Sequence, residues 1–569
     1  MTWKTALLVL VALLAGVAVV FNIATRTPAP PEHQVYINGD VLTMDESSRI
    51  VEAISVRKGL IEAVGSTDEI MAGITNATEV VDLHGRTLLP GFIDAHGHFP
   101  GSGLTSISAN LHSPPIGDKT TMAEVLDSLR AEAAKRAPGE WVGGWGYDDT
   151  LLAEMRHPTR DELDSVSTEH PIAAVHVSGH MLVANSLALE LAGIDEETPN
   201  PEGGVIVKDP STGKLTGLLE ETAAYPVQGP MMDYGFSDVF TMMKSAAKEY
   251  AQVGVTTAQS GGVSPELGKG LVLFSRFGII PMRILVFPFE HQFGDVLLNG
   301  EFDAADYAGE RVEVGAVKLV ADGSIQGYTG YLSHPYHQPF KGDASYRGYP
   351  AIPRDVLFEK VEKLHRAGYQ LAIHGNGDES IEDILDAFES AQLAHPVQDP
   401  RMILIHSQMA REDQVARMKA LGVTPSFFTA HTWYWGDRHR DIFMGPERAA
   451  AMSPSRWARD YGIRFSSHLD TPITPMLPLQ AVWSSVHRIT HGGDTLGEDQ
   501  RIDVMDALRA VTIDAAYQIF QDDNRGSLEA GKYADLVVLS GNPLNDPMTM
   551  RDLKVERTVV GGVTIYRRQ

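Results

Sequence analysis

The 569-residue chain contains no cysteine. Disulfides, thiolate metal sites, cysteine nucleophiles and a lipidated N-terminal cysteine are all excluded. Any metal must therefore be held by histidine, carboxylate or an oxygen derived from lysine. Positive charge is also scarce: 47 Lys and Arg stand against 74 Asp and Glu, a formal net charge of −27. That excess repels phosphate backbones, so nucleic acid is not an expected partner. The chain has no Walker A phosphate loop, no Rossmann fingerprint after a strand and no G-x-S-x-G nucleophile elbow. Nucleotide cofactors and a Ser-His-Asp hydrolase are not indicated. Internal repeats and low-complexity tracts are also missing.

What is present is enough for a sizeable core, with 43% hydrophobic and 21% charged residues. The length exceeds one ordinary domain and points to a large barrel or several domains. Ala6 to Ile23 is apolar apart from one Asn, follows Lys4 and precedes Arg26 and a Pro-rich stretch. Such a run is at the ~17–20 residue threshold for a membrane span, and a signal-peptide core has the same look. No clean small-x-small cleavage site lies near its end. The expectation is an exported protein with residues 1–31 as an uncleaved anchor or a cleaved signal, touching the membrane only there.

Beyond it, short β-rich segments run to about Leu88, and the same texture returns in ADLVVLSGNPL and RTVVGGVTIY. This predicts a small β-sandwich domain built from both chain ends, 32–88 and 511–569. Between them, eight apolar stretches alternate with helical patterns: LLPGFIDA, GVTTAQ, PMRILVF, VGAVKLV, YQLAIH, RMILIH, GVTPSFF and IRFSS. Eight βα units in series predict an α/β fold, a (β/α)8 TIM barrel over 89–510. The excess over a plain barrel falls at about 101–245, an insertion after the first strand.

Polar residues gather at the C-terminal ends of these strands, where barrels place catalysis. The first ends in His96-Gly97-His98, and residues two apart in a strand point to one side. The fourth carries Lys318, the fifth ends at His374, the sixth at His406, and the eighth leads to Asp470. Any one of these histidines taken alone reads best as structural; together at one face they read as a metal site. Imidazole and carboxylate are zinc ligands where thiolates are absent, so one or two divalent metals, zinc first, are expected.

With these motifs, and with WVGGWGYDD, VSGHMLVANSLAL, TGLLEE, VKLVADGSIQG, IHGNGDESI, HLDTPITP and GSLEAGKYADLVVLSGNPL, the chain resembles the amidohydrolase superfamily. Within it, the likeness is to the amidohydrolase-3 branch that includes N-substituted formamide deformylases, from about residue 34 to the end. The resemblance implies His96 and His98 as ligands of a deeper metal, with His374 and His406 holding a second or completing the first. It implies a carboxylated Lys318 bridging two metals; an unmodified lysine is a poor ligand. Asp470 is implied as ligand and proton shuttle. The family commonly shows Ser-Asp-x-Pro here, whereas this chain reads Ser467-His468-Leu469-Asp470-Thr471-Pro472. That departure puts the register in question and leaves His468 as a second acid–base candidate.

His180, Asn185, Trp145, Tyr147 and Glu220 are the candidate substrate-binding residues, each with a purely structural alternative. Asp322 and Asp378 read as loop-fixing groups, and His431, Trp433, Tyr434 and Trp435 as an aromatic wall or plain packing. The expected activity is hydrolysis of a small amide-like substrate by a metal-activated water. An esterase or lactonase using the same apparatus stays open, as does a noncatalytic exported barrel stabilised by metal, although the latter has no need of Asp470. A homodimer is implied only at the level of the superfamily.

Overall fold

The computed structural model describes residues 28–569. At its centre run parallel strands β1 (Phe92–Ile93), β2 (Val255–Val263), β3 (Arg283–Pro288), β4 (Val312–Val314 continued by Val317–Val320), β5 (Leu371–Gly375), β6 (Met402–His406), β7 (Val423–Phe427) and β8 (Ser466–Ser467). Each overlaps one of the eight apolar stretches. Parallel pairing runs from β1 to the first half of β4, and again from its second half to β8. Phe289 bridges Lys318 at one seam. At the other, Asp470 N–H donates to His96 O at 3.1 Å and His98 N–H to Thr471 O at 2.7 Å. The fold is a TIM-barrel-like α/β structure.

The strands form where they do because their aliphatic, β-branched residues can be buried on both faces, as parallel sheets require. All five positions of β5, β6 and β7 are buried. The helices outside them are amphipathic. Asp378–Ala394 buries Ile381, Ile384, Leu385, Phe388 and Ala391, three and four residues apart. Glu412–Leu421 stops at Gly422, whose φ of 68° is the left-handed cap that glycine accepts freely.

Strands from both ends of the described chain share one sheet, in the order 563–567, 555–560, 536–539, 87–90, 40–42, 50–51. A four-stranded sheet (60–65, 53–57, 33–37, 79–82) packs on it through Tyr36, Ile54, Val56, Leu88, Leu536 and Val538. The chain changes sheets within one residue: Thr87–Pro90 pairs with Leu536–Leu539, and Phe92–Ile93 with β2. At the crossing, a Cβ on Gly91 would lie 2.1 Å from Thr256 Cγ2, so the position admits only glycine.

Between β1 and β2 a third sheet takes the order 204–208, 215–221, 181–184, 172–176, 142–147, 109–110, with a separate apolar cluster on each face. One boundary differs from the sequence expectation. Residues just past 511 pack with the barrel: helix Ile513–Gln518 sets Ala515 and Ala516 against Ile93 and Ala95. The expected export through an N-terminal span is also corrected. Among the described residues no helix is long and apolar enough to cross a membrane, and the Ala6–Ile23 run lies outside them.

Candidate metal centre

The first candidate ligand, His96, is placed by a turn that Asp94 folds under. Asp94 accepts from Tyr250 Oη at 3.2 Å and Gln259 N at 3.3 Å. Burial pushes its carboxyl up to about 7 against those bonds. His96 then sets Nδ1 2.8 Å from Gln259 Oε1. Gln259 Nε2 donates to Ala95 O at 2.8 Å, which fixes its amide with the oxygen toward the imidazole. His96 must therefore donate from Nδ1 and turn its Nε2 lone pair into the barrel mouth. Burial, reinforced by the neighbouring Lys318 charge, lowers its pKa and keeps it neutral.

Around that lone pair the other candidates converge. Asp470 Oδ1 lies 3.6 Å from His96 Nε2 and 3.2 Å from His98 Nε2. One ligand atom from each of these three residues lies within 4.8 Å of the others. Asp470 Oδ2 is 4.0 Å from His406 Nε2, which is 3.1 Å from His374 Nδ1. The His374 Nε2 lies 3.3 Å from the Gly323 carbonyl and 3.0 Å from the Asn376 amide, so its surroundings leave its tautomer open. The second nitrogen of His406 meets His468 Nε2 at 3.1 Å. Lys318 Nζ lies 3.2 Å from His96 Nε2, and burial pushes its ammonium down to about 7. Burial lowers His374 and His406 likewise.

Burial alone would raise the Asp470 carboxyl, but the close approach of His98, with His96 and His468 behind it, holds it well below the usual carboxylate range. Its Oδ1 is buried with no well-formed hydrogen bond in the protein. A buried carboxylate oxygen without a well-formed hydrogen bond, lying among imidazole nitrogens, is the donor set of a divalent cation site. Backbone strain gathers here too: His406, Asp470 and Glu221 hold φ of 69°, 53° and 51°. That left-handed region costs roughly 1 kcal/mol or more for each such residue, and strain of this kind clusters at functional sites.

The substrate-binding candidates separate. His180 approaches the centre, its ring centroid 5.0 Å from that of His374 and its Nδ1 2.9 Å from Glu221 Oε2. Burial works against a charged imidazole there, but the Glu221 carboxylate outweighs it and raises the His180 pKa. Glu220 turns away, toward Tyr349 Oη at 3.4 Å and Lys341 Nζ at 3.9 Å. Successive residues of a strand face opposite sides, so of the two adjacent glutamates it is Glu221, not the chosen Glu220, that meets His180.

Asn185 is also corrected. Its Oδ1 accepts from Ile172 N and Ala188 N and its Nδ2 donates to Ser167 O and His170 O, which leaves nothing for a substrate. Trp145 and Tyr147 pack within the clusters of the 109–221 sheet, Tyr147 Oη lying 3.1 Å from His157 Nδ1. Trp435 is buried and donates to Asp148, while Trp433 packs on Trp483 and Arg551. Asp322 is a loop anchor, accepting from the backbone of Tyr331, Asn376 and Gly377.

Gln259 and the full role of His468 escape a reading by residue type. The one signal for Gln259 is its place at the end of the GVTTAQ strand.

The profile of the Amidohydrolase family matches residues 79–566. The chain belongs to this family. It is 30% identical to the N-substituted formamide deformylase of Arthrobacter pascens, over 94% of this chain and 98% of that protein. It is 28% identical to the putative amidohydrolase YtcJ of Bacillus subtilis, over 94% and 99%. Its fold is similar to that of an uncharacterized metal-dependent hydrolase from Pyrococcus horikoshii, with a TM-score of 0.71, 24% identity and coverage of 90% and 98%. The protein is thus an amidohydrolase, a metal-binding hydrolase acting on carbon–nitrogen bonds.

Proposed function

We propose that this amidohydrolase cleaves N-formyl or N-acyl amides of small non-peptide molecules, with Asp470 carrying the proton. The observation behind this reading is the buried Asp470 Oδ1, which lies between His96 and His98 without a well-formed hydrogen bond. The deformylase likeness supports the bond type. His96, His98, Lys318, His374, His406 and Asp470 would hold one or two divalent metals, zinc by donor chemistry. A cation there supplies Lewis acidity toward the scissile carbonyl and the attacking water.

The remaining work falls to side chains. Asp470 is ionised at neutral pH, so it can take the proton of the attacking water and return it to the departing nitrogen. Glu221 holds His180 by Nδ1, which turns Nε2 toward substrate. Lys318, whose amine form is accessible near pH 7, is the candidate for carboxylation when two metals bind. The His98 side chain, 42% exposed, marks the open side of the site.

The same apparatus accepts an ester or lactone in place of the amide. The domain reading that accompanies it is a barrel over 89–510 with an insertion at about 101–245, and a β-sandwich from 32–88 and the residues after the helix Ile513–Gln518. The homodimer implied by the superfamily is read by sedimentation.

The test combines metal content, intact mass and turnover. About two zinc per chain with the mass of one added carboxyl group supports the bridged centre. About one metal and no added mass centres the site on His96, His98 and Asp470. No metal bound or taken up on reconstitution defeats the proposal. Turnover of N-formyl amides over matched esters decides the bond.

A further inference from the structure

A line of buried polar groups runs from the amino end of the barrel strands to the metal centre. Gln518, at the end of its helix, sends Nε2 to the carbonyls of Pro425 at 2.8 Å and Thr424 at 3.3 Å. A carbonyl only accepts, so the amide is fixed with Oε1 pointing the other way, 2.5 Å from Ser466 Oγ. Ser466 Oγ is 2.8 Å from Ser426 Oγ. Ser426 Oγ is 2.9 Å from His468 Nδ1, and His468 Nε2 is 3.1 Å from His406 Nδ1. All five side chains are 3% exposed or less.

Counting protons along this line leaves one arrangement. Gln518 Oε1 has no proton, so Ser466 donates to it. Ser466 has only one hydroxyl proton, so its contact with Ser426 requires Ser426 to donate. Ser426 is then spent as a donor and must accept from His468 Nδ1–H. A neutral His468 is left with a bare Nε2, which accepts from His406 Nδ1–H. The bare nitrogen of His406 is therefore Nε2, the one facing Asp470 and His374. The reverse assignment, with Ser426 donating to His468, leaves the 2.8 Å contact between two hydroxyl oxygens without any proton.

We propose that Gln518, Ser466, Ser426 and His468 form a positioning relay that locks His406 in the Nδ1–H tautomer and presents its Nε2 as a ligand. The role of the ligand rests on the metal-hydrolase reading above; the tautomer does not. Metal-bound histidines are ordinarily oriented by a carboxylate, a carbonyl or water. Here a second histidine takes that place, and an amide at the far end of the barrel decides which way every proton points. It also gives His468 a task other than acid–base chemistry, since both of its nitrogens are committed inside the wall.

Two measurements test the relay. In metal-free protein with 15N-labelled histidine, the resonance lost in His406→Asn is expected to report a protonated Nδ1 and a bare Nε2. A protonated Nε2 at neutral pH overturns the relay, and this arm holds even if the wild type binds no zinc, an outcome that would sink the hydrolase reading instead. In zinc titrations, His468→Leu should weaken binding by about 10–100-fold and Ser426→Ala by about tenfold. His468→Gln, which restores an acceptor oxygen for His406, should return affinity to within about threefold of wild type. Wild-type zinc affinity in both His468→Leu and Ser426→Ala, with the metal-free proteins folded by circular dichroism, also overturns it.

Discussion

Among the described residues, histidine and carboxylate gather tightly in two places. At the barrel mouth are His96, His98 and Asp470; in the sheet of residues 109–221 and the loop beside it are Asp148, Asp149 and His176. In each trio, one potential ligand atom per residue lies within 4.8 Å of the others. The difference lies in where the lone pairs go. His176 Nδ1 accepts from Ser178 N at 3.2 Å, so its proton sits on Nε2 and goes to Asp149 at 3.0 Å. Asp148 is taken up by Thr150, Trp435 and Arg438. At the barrel mouth the partners are placed the other way round. Gln259 and His468 occupy the outward nitrogens of His96 and His406, so the inward ones carry no proton and turn their lone pairs into the site, toward Lys318 and His374. Proximity alone does not make a metal site; the orientation of the groups behind the ligands does.

The largest effect expected on this contrast comes from Asp470→Asn. Turnover should fall by ~10³-fold or more, in line with the loss of a proton carrier, while elemental analysis still finds metal on the histidines. Unchanged turnover would remove Asp470 from its assigned role. Next, His96→Ala should lose bound zinc, whereas His176→Asn should keep the wild-type zinc content. Zinc lost equally from both would erase the distinction between the clusters.

Asp148→Ala should leave zinc in place but lower stability by about 3 kcal/mol, because the buried Arg438 charge is left without its partner. Chemical denaturation measures it. The Asp148 carboxyl lies low, about 2; burial works against this, but the Arg438 charge prevails.

How much of this was legible in the chain follows the same line. The eight strands could be read because parallel strands buried on both faces leave continuous aliphatic runs. Candidate ligands could be named because His374 and His406 stand where the apolar runs of their strands stop. Orientation could not. Glu220 and Glu221 are adjacent and identical in type, and only the register of strand Leu215–Glu221 says which one meets His180. Asn185 sits in a motif beside His180, yet its amide caps helix Ser186–Leu191. Ser426, Ser466 and Gln518 are unremarkable as residue types and acquire a role only when strands 40 residues apart become neighbours.

Two smaller effects sharpen the comparison. His157, beside Asp149, and His112 are pushed down to about 4, chiefly by burial. An unfolded histidine titrates near ~6.5, so between these values the unfolded chain binds more protons than the folded one. Stability should therefore fall as pH drops from about 6.5 toward 4, read as a falling denaturation midpoint in metal-free protein. A flat profile would mean these histidines are not buried neutral. The smallest effect belongs to Glu220→Gln, expected to change kcat/KM by less than about threefold, against about tenfold for Glu221→Gln. Reversal of that order would mean the strand register at the site is wrong.

The sheet shared by the two ends of the described chain bears on synthesis. Leu88 pairs with Val538, a separation of about 450 residues, among the most non-local contacts a chain can make and slow to form. On a ribosome the segment Thr87–Pro90 must wait, one edge unpaired, until nearly the whole barrel has been made. During that interval the exposed edge is open to neighbouring nascent chains. Strand Leu536–Leu539 therefore acts as a closing clasp, and a chain released before it is made would leave that edge of Thr87–Pro90 uncovered.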